Sequence, residues 1–268
     1  MDIRYIESLD VPELAPYARL TEGQLRNRLH PEEGMFICES EKVIRVALEA
    51  GVEPVTFLCE EKFLPVVESL FSARPSLATQ GVPVYTGRRE VLKQLTGYEL
   101  SRGVLCCMRR LVLPSTETVL GDARRVAVID GVVNSENTGA IFRAAASLGV
   151  DAVLLTRTCC DPLNRRACRV SMGTVLQLPW TFIDSYRQIK ENGFTIVALA
   201  LTDRSVCIDD PALKRIERMA IVLGTEGDGL SDSVLQMSDY VARIPMQRGV
   251  DSLNVAAAAA VAFWELIG

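Results

Sequence analysis

The sequence predicts an α/β protein whose C-terminal domain is built on a parallel sheet and is preceded by a smaller α/β domain. Three observations favour this fold class. Apolar runs alternate with helical segments through the second half, as in a parallel sheet covered on both faces. A shorter strand–helix–strand pattern precedes them. Between the two lies a stretch rich in Pro, Thr, Ser and Gly without clear periodicity, which is typical of a linker.

We therefore predict a domain at 1–112, a linker at 113–122 and a second domain at 123–268. The first domain is predicted to contain a strand at Met35–Glu39, a helix at Glu41–Ala50 and a strand at Pro54–Cys59. The runs VPVYTG and RGVLCCMRR add two strands, with a helical stretch, RREVLKQLTG, between them. The strands of the second domain are predicted in RVAVIDGV, DAVLLT, FTIVALAL, MAIVLGT and DYVARIPM.

The composition is typical of a globular protein: 268 residues, 49% hydrophobic, with a formal net charge of −5. The longest apolar run, Val255–Trp264, is far shorter than the roughly 20 residues that span a bilayer. The N-terminus has no basic and apolar leader, so we expect a cytoplasmic protein without membrane contact. Both predicted domains carry more acidic than basic side chains, which excludes a basic nucleic-acid coat but permits a local basic patch.

The eight cysteines are expected to be reduced thiols, because the chain is long and has no leader. His30 is the only histidine and no C-x-x-C occurs. The spacing of a zinc site is therefore missing, and we expect no metal.

The first chemical motif, DGVVNSENTGAIFRAAASLG, follows the first strand of the second domain. It is interpreted as a polar turn and a helix that begins near Thr138, with Asn137 as its cap. Gly139 permits close approach of a backbone or ligand, and Arg143 follows on the helix. The turn alone is explained more simply as a capped helix with a surface arginine, because capping residues are common.

The second motif, IVLGTEGDGLSDSVL, places Gly224, Gly227 and Gly229 around the acidic Glu226 and Asp228. Closely spaced glycines let backbone amides touch a ligand. The spacing is neither the dinucleotide fingerprint nor a P-loop. Because acidic side chains repel phosphate, the loop favours a cationic ligand.

The third motif, IPMQRGVDSLNVAAAAAVAFWELIG, ends the chain. Ser252 or Asp251 can cap its helix. The run Ala256–Ala260 has no large side chain on any face, so another segment of the chain or a partner subunit is expected to approach it closely.

Together, N-x-G-A-I-F-R, L-G-T-E-G-D-G-L and I-P-M-x5-S-L-N-V-A resemble the three ordered motifs of the SpoU, or TrmH-like, branch of the SPOUT RNA methyltransferases, over residues 126–268. The N-terminal part resembles the substrate-binding domain, related to ribosomal protein L30e, that many members carry. Two positions depart from the family pattern. The EG that often ends the first strand is Glu39–Ser40 here, and the glycine usually found two places after Met246 appears as Gly249, after Arg248.

The resemblance implies a deep trefoil knot, a homodimer, S-adenosylmethionine as cofactor and methyl transfer to a ribose 2'-hydroxyl of RNA. It implies a cofactor site formed mostly by backbone groups of Leu223, Gly224, Thr225, Gly227, Ile244, Met246, Ser252 and Leu253. The family's catalytic positions correspond to Asn137, Arg143, Glu226, Ser252 and Asn254.

An arginine is effectively always protonated, so we assign Arg143 the stabilisation of the developing alkoxide and the alignment of the adjacent phosphate. Ser252 and Asn254 are expected to orient the nucleophile and the polar edge of the cofactor. Glu226 is expected to fix Arg143 or the loop in which it lies.

Clustered arginines are candidates for phosphate contact, although such clusters also occur on ordinary solvated surfaces. The candidate RNA-binding residues are Arg26, Arg28, Arg157, Arg165, Arg166 and Arg169.

The accessory N-terminal domain favours 23S rRNA as the substrate, and a tRNA 2'-O-methyltransferase is the alternative. Two other classes stay open: a non-catalytic RNA-binding or ribosome-assembly protein of the same fold, and a small-molecule or nucleotide-dependent enzyme of a plain doubly wound fold.

Overall fold

The structure, a computed structural model, describes residues 1–95, 103–225, 227 and 229–268. The strands are β1 (Asp2–Ile6), β2 (Met35–Glu39), β3 (Pro54–Glu60), β4 (Pro83–Gly87), β5 (Val104–Arg109), β6 (Arg125–Ile129), β7 (Ala152–Thr156), β8 (Trp180–Ile183), β9 (Thr195–Leu199), β10 (Val206–Cys207), β11 (Met219–Leu223) and β12 (Tyr240–Arg243). The α-helices are α1 (Ala15–Ala18), α2 (Glu22–Arg26), α3 (Glu41–Glu49), α4 (Leu64–Ala73), α5 (Ser76–Thr79), α6 (Arg89–Leu92), α7 (Thr116–Leu120), α8 (Ser135–Ser147), α9 (Arg165–Val170), α10 (Arg187–Glu191), α11 (Pro211–Lys214), α12 (Asp232–Met237) and α13 (Val255–Ile267).

The chain forms two compact units. The N-terminal unit consists of Met1–Val112 together with the segment Leu163–Leu176, and the C-terminal unit consists of Leu113–Pro162 and Gln177–Gly268. The segment Leu163–Leu176, which contains α9, therefore lies within the C-terminal half of the sequence but packs with the N-terminal unit.

The N-terminal unit contains a mixed five-stranded sheet in the order β1-β4-β3-β5-β2. Parallel pairs join β4 to β1 and to β3, whereas β5 is antiparallel to both β2 and β3. The predicted strands and the helix α3 all occur in this sheet unit. The sequence analysis did not predict β1. The helix predicted in RREVLKQLTG is observed as α6 and a following 3-10 turn, Lys93–Leu95, and its last residues lie outside the described part.

Ser40 has a left-handed backbone conformation between β2 and α3, with φ 88° and ψ 147°. Residues with a Cβ rarely adopt this region, which is almost confined to glycine. The family that this chain resembles often has Glu-Gly here, and glycine adopts this conformation without strain. In this chain a serine occupies the position, so its backbone is strained.

The C-terminal unit contains a seven-stranded sheet in the order β10-β12-β9-β11-β6-β7-β8, and every neighbouring pair in it is parallel. The parallel sheet predicted from the apolar runs is therefore confirmed. Strand β11 is buried throughout and β6 is buried after Arg125, as their near-continuous hydrophobic sequences require. Two strands, β8 and β10, were not predicted. The trefoil knot stays a prediction from the resemblance.

The stretch predicted as a linker contains the helix α7. Ser115 caps this helix by accepting a hydrogen bond from the backbone N–H of Thr118. Val119 and Leu120 are buried in the hydrophobic core of the C-terminal unit. Short helices have too few turns to show a clear apolar period, so the sequence pattern missed this one.

None of the helices in the described part of the chain has the length and apolar character that spanning a bilayer requires.

Candidate functional site

A cavity of about 580 Å³ opens at the carboxyl ends of β9, β11 and β12 in the C-terminal unit. Ligands bind at this edge of parallel α/β sheets, because the loops that follow adjacent strands converge there. The first turns of α13 complete the cavity wall, with Asn254, Val255 and Ala258 in the lining.

The residues predicted to form the cofactor site converge in this cavity. Its lining includes all of them: Leu223, Gly224, Thr225, Gly227, Ile244, Met246, Ser252 and Leu253. The structure thus brings the second and third sequence motifs together at one site. That these residues bind a cofactor stays a prediction at this point.

Gly224 directly follows β11, at a point of very close packing. A Cβ built on it would lie 2.8 Å from the backbone carbon of Gly229 and 2.9 Å from the side chain of Leu230. Only glycine fits there without a shift of the loop. The predicted catalytic residue Glu226 lies in the same loop but outside the described residues, as does Asp228.

The helix caps differ from those predicted in the first and third motifs. Asn134, not Asn137, caps α8, and its Oδ1 accepts hydrogen bonds from the backbone N–H groups of Glu136 and Asn137. Asn254, not Asp251 or Ser252, caps α13. Both motifs offer several good capping residues close together, and local sequence does not decide which one takes the capping conformation.

Asn137 is buried in the first turn of α8 and joins the first motif to the third. Its Oδ1 accepts a hydrogen bond of 3.1 Å from Nδ2 of Asn254. The Oδ1 of Asn254 accepts from the backbone N–H groups of Ala256 and Ala257, at 3.0 and 3.4 Å. One side chain thus caps α13 and ties its N-terminus to α8. The N-termini of these two helices therefore meet beside the cavity.

Arg143 lies on the exposed surface of α8. It is six residues after Asn137, which places the two side chains on different faces of the helix. Arg143 is not part of the cavity lining given by the described residues. The structure therefore brings Asn137, Ser252 and Asn254 to the cavity region and leaves Arg143 on the outer face of α8.

The alanine-rich helix α13 packs against α8 of the same chain, and also against α11 and β11. Ala259 and Ala262 are fully buried. Small side chains allow two helices to approach closely, which fits the buried Ala259 and Ala262 but not the exposed Ala257. The opposite side of α13 exposes Val261 and Trp264, the tryptophan at 69% of its surface.

The loop after β9 also belongs to the cavity, although the sequence motifs do not include it. Leu199, Ala200, Leu201 and Thr202 all line the cavity. The hydroxyl of Thr202 is buried and has no hydrogen-bond partner among the described residues. The available signal was the position of β9: the apolar run FTIVALAL predicts a parallel strand, and its carboxyl end had to share the edge used by β11.

Five of the six candidate RNA-binding arginines belong to the N-terminal unit. Nε of Arg165 and Nη1 of Arg169, both on α9, lie 3.0 and 3.4 Å from the two oxygens of Glu39, which is 4% exposed. The backbone N–H of Arg165 donates to Glu22 of α2, the helix that ends at Arg26. The two arginine groups predicted from distant parts of the sequence, Arg26 with Arg28 and Arg165 with Arg166 and Arg169, therefore belong to adjacent elements of one unit.

Arg157 belongs to the C-terminal unit. Its Nε donates to Asp184 at 2.8 Å, and its guanidinium lies 5.7 Å from the centre of the Phe182 ring. The hydrogen bond and charge of Arg157 lower the pKa of Asp184. Both side chains are largely exposed.

Comparisons with known proteins support the family and the fold. Residues 124–264 match the SpoU rRNA Methylase family. An uncharacterized tRNA/rRNA methyltransferase of Mycobacterium bovis is 37% identical over 99% of this chain and 92% of its own length. The 23S rRNA (guanosine(2553)-2'-O)-methyltransferase RlmP of Bacillus subtilis is 25% identical over 87% of this chain and 88% of its own.

Among solved structures, an AdoMet-bound rRNA methyltransferase from Sinorhizobium meliloti has the same fold, with a TM-score of 0.82. It is 22% identical, and the match covers 98% of this chain and 97% of the other. The family match covers more than half of the chain, and the mycobacterial relative matches nearly all of it. The chain therefore belongs to the SpoU rRNA methylase family.

Proposed function

We propose that this protein is an S-adenosylmethionine-dependent RNA methyltransferase that modifies a ribose 2'-hydroxyl, with 23S rRNA as its substrate. The single observation that carries the proposal is the cavity at the ends of β9, β11 and β12. It gathers residues of the second and third motifs, and the Asn137–Asn254 hydrogen bond attaches the first motif beside it.

The cavity lining suits S-adenosylmethionine. Leu199, Leu223 and Ile244 offer apolar surface for a purine, while Thr202 offers a buried hydroxyl without a partner among the described residues. Asp251 adds a carboxylate, which attracts a cationic ligand. When bound, S-adenosylmethionine supplies a methyl group on a sulfonium cation. The absence of a Cβ at Gly224 keeps the loop closely packed at the wall of the cavity.

The residues of the first motif supply the side of the site that receives RNA. Asn137 holds the start of α8 against α13, and Arg143 presents a permanent positive charge to solvent. We assign Arg143 the alignment of an RNA phosphate and stabilisation of negative charge on the ribose oxygen. Ser252 lines the cavity and is exposed, so its hydroxyl is placed to orient the acceptor.

The proposal includes a homodimer. Val261 and Trp264 form an exposed apolar surface on α13, and α8 with Arg143 packs beside that helix. A second copy that covers this surface would also offer its own Arg143 near the neighbouring α8 and α13. Sedimentation of the purified chain tests this part: a monomer at micromolar concentration contradicts it.

The arginines of α2 and α9 support an RNA-binding role for the N-terminal unit, because two adjacent elements concentrate positive charge there. Glu39 and Glu22 reduce the net charge of this group. The contact with RNA is therefore expected to be local, with a modest dependence on salt.

The decisive experiment measures transfer of tritiated methyl groups from S-adenosylmethionine to RNA isolated from a strain lacking this gene. The expected result is one 2'-O-methylated nucleotide in 23S rRNA, mapped by its resistance to alkaline cleavage and absent from the deletion strain. Labelled tRNA alone would favour the tRNA alternative. Labelling of a base instead of a ribose would contradict the proposed chemistry.

Two further outcomes would reject the enzyme proposal. RNA binding without methyl transfer would indicate a non-catalytic RNA-binding protein. Calorimetry that detects binding of NAD or ATP, but no binding of S-adenosylmethionine, would indicate a nucleotide-dependent enzyme. The proposed site is expected to bind the sulfonium ligand selectively.

A further inference from the structure

The turn between β6 and α8, residues 130–134, is fixed by Asp130, the first residue of the first motif, which has no role in the proposed site so far and is not part of the cavity lining. Asp130 follows directly after β6, and its backbone N–H donates to the carbonyl of Leu223, the last residue of β11. Its side chain is half-buried. The residue thus stands where the first motif meets the strand that leads into the cavity.

Both carboxylate oxygens of Asp130 accept hydrogen bonds from neighbouring strand ends. Thr156, at the end of β7, donates from Oγ1 to Oδ1 at 2.9 Å. Tyr186, after β8, donates from its hydroxyl to Oδ2 at 2.9 Å. Burial is the main cause that raises the pKa of Tyr186, and the nearby charge of Asp130 raises it further. The tyrosine therefore stays protonated and remains a hydrogen-bond donor. One carboxylate therefore connects the carboxyl ends of three adjacent strands.

The same network holds the backbone of the turn. Oγ1 of Thr156 accepts a hydrogen bond of 3.0 Å from the backbone N–H of Gly131. The next residue, Val132, accepts a hydrogen bond of 2.9 Å from the backbone N–H of Cys160. Two residues later, Asn134 caps α8. Hydrogen bonds therefore hold this turn at Asp130, Gly131, Val132 and Asn134.

This turn also contacts the cavity wall. Gly131 has φ 67°, and a Cβ built on it would lie 2.8 Å from the Cγ2 of Thr225, a residue of the cavity lining. The turn therefore packs against the cavity at one end and begins α8, with Asn137 and Arg143, at the other.

We propose that Asp130 is a positioning residue for methyl transfer: its carboxylate, held by Thr156 and Tyr186, sets where α8 begins relative to the cofactor cavity and so aligns Arg143 with the acceptor. The inference rests on the proposed function. A displacement of about 1 Å at a reacting group can cost on the order of a hundredfold in rate, so a residue that touches no substrate can control turnover.

The test replaces Asp130 by asparagine. Asp130→Asn keeps the shape of the side chain but removes the charge and one of the two acceptor oxygens. We expect kcat to fall about tenfold, with the Kd for S-adenosylmethionine within about twofold of wild type, because charge-assisted hydrogen bonds are the stronger ones. Tyr186→Phe should lower kcat by about threefold. The double variant should be no slower than Asp130→Asn alone, because both changes act through one carboxylate.

Asp151→Asn is the matched control. Asp151 directly precedes β7 and lies at the N-terminal ends of β6 and β7, whereas Asp130 lies at their carboxyl ends. The Asp151 carboxylate accepts two backbone hydrogen bonds of 2.8 Å, from Arg124 and Arg125. Loss of these bonds should lower the melting temperature without a selective fall in kcat.

Hydrogen exchange gives a readout besides activity. Backbone amides of residues 131–137 should exchange faster in Asp130→Asn and not in Asp151→Asn. A kcat within twofold of wild type, unchanged exchange at 131–137, or a parallel loss of kcat and cofactor affinity would each overturn the inference. A wild-type chain that transfers no methyl group would instead reject the proposed function, and the exchange comparison would still decide whether Asp130 positions the turn.

Discussion

The two units assemble their polar groups in different ways. In the C-terminal unit, loops after parallel strands create a cavity whose wall combines large apolar side chains with closely packed glycines. In the N-terminal unit, arginines on α9 are held by Glu39, a single buried carboxylate more than a hundred residues away in the sequence.

This difference has a physical consequence for mutation. The cavity is sensitive to any atom added at a closely packed glycine such as Gly224. A site formed by ion pairs is sensitive to loss of one charge, because the remaining charges are then left without a partner.

Arg143→Ala should reduce methyl transfer at least about a hundredfold, the effect typical of losing one electrostatic stabiliser. Cofactor affinity should change little, because Arg143 is not among the described residues that line the cavity. Steady-state kinetics and calorimetry measure the two quantities. Arg187→Ala, which removes an exposed arginine of α10, is the control. Activity within a few-fold of wild type would show that Arg143 has no such role.

Gly224→Ala should weaken cofactor binding, since the new Cβ would lie 2.8 Å from the Gly229 backbone. Overpacking typically costs about 1–3 kcal/mol, and about 1.4 kcal/mol corresponds to a tenfold rise in Kd. Calorimetry with S-adenosylmethionine measures the change. Gly121→Ala is the matched control, because a Cβ there meets its nearest atom at an ordinary 3.6 Å. Equal affinities for both variants would mean that the loop relaxes freely.

Glu39→Gln should lower the free energy of unfolding by about 1–3 kcal/mol, less than for a fully buried pair because both arginines are partly exposed. The neutral amide cannot compensate Arg165 and Arg169, whose side chains are 29% and 35% exposed. Urea unfolding measures the effect. Asp184→Asn, which breaks the exposed pair with Arg157, should change stability by no more than about 1 kcal/mol. Equal effects of the two substitutions would contradict the contrast between buried and exposed pairs.

Ser40→Gly should stabilise the protein by about 1 kcal/mol, the balance between relief of a strained conformation and the greater unfolded-state freedom of glycine. The substitution also removes a buried hydroxyl without a partner among the described residues. Thermal unfolding measures the gain. The control, Ser115→Gly, replaces a helix cap at φ −68° and should give no gain. A destabilised Ser40→Gly variant would indicate that the serine hydroxyl has a stabilising partner in solution.

Much of the C-terminal unit could be predicted from sequence. Apolar runs gave β6, β7, β9, β11 and β12, since a strand buried on both faces must be apolar throughout. The eight residues predicted for the cofactor site were assigned from the family resemblance, and all of them line the cavity at the carboxyl ends of β9, β11 and β12. The helix caps were predicted less well, because Asn134 and Asn137 are chemically equivalent candidates and only the packing of Asn137 against Asn254 distinguishes them.

Local sequence patterns are sufficient to predict the parallel sheet, the family and the glycine loop, because strand hydrophobicity, ordered motifs and glycine positions can be read along the chain. The folded chain was needed to show that Thr202 joins the cavity, that Glu39 binds the arginines of α9, and that Asp130 connects three strand ends. Each of these contacts joins residues far apart along the chain, and a local pattern contains no information about which distant side chain will complete it.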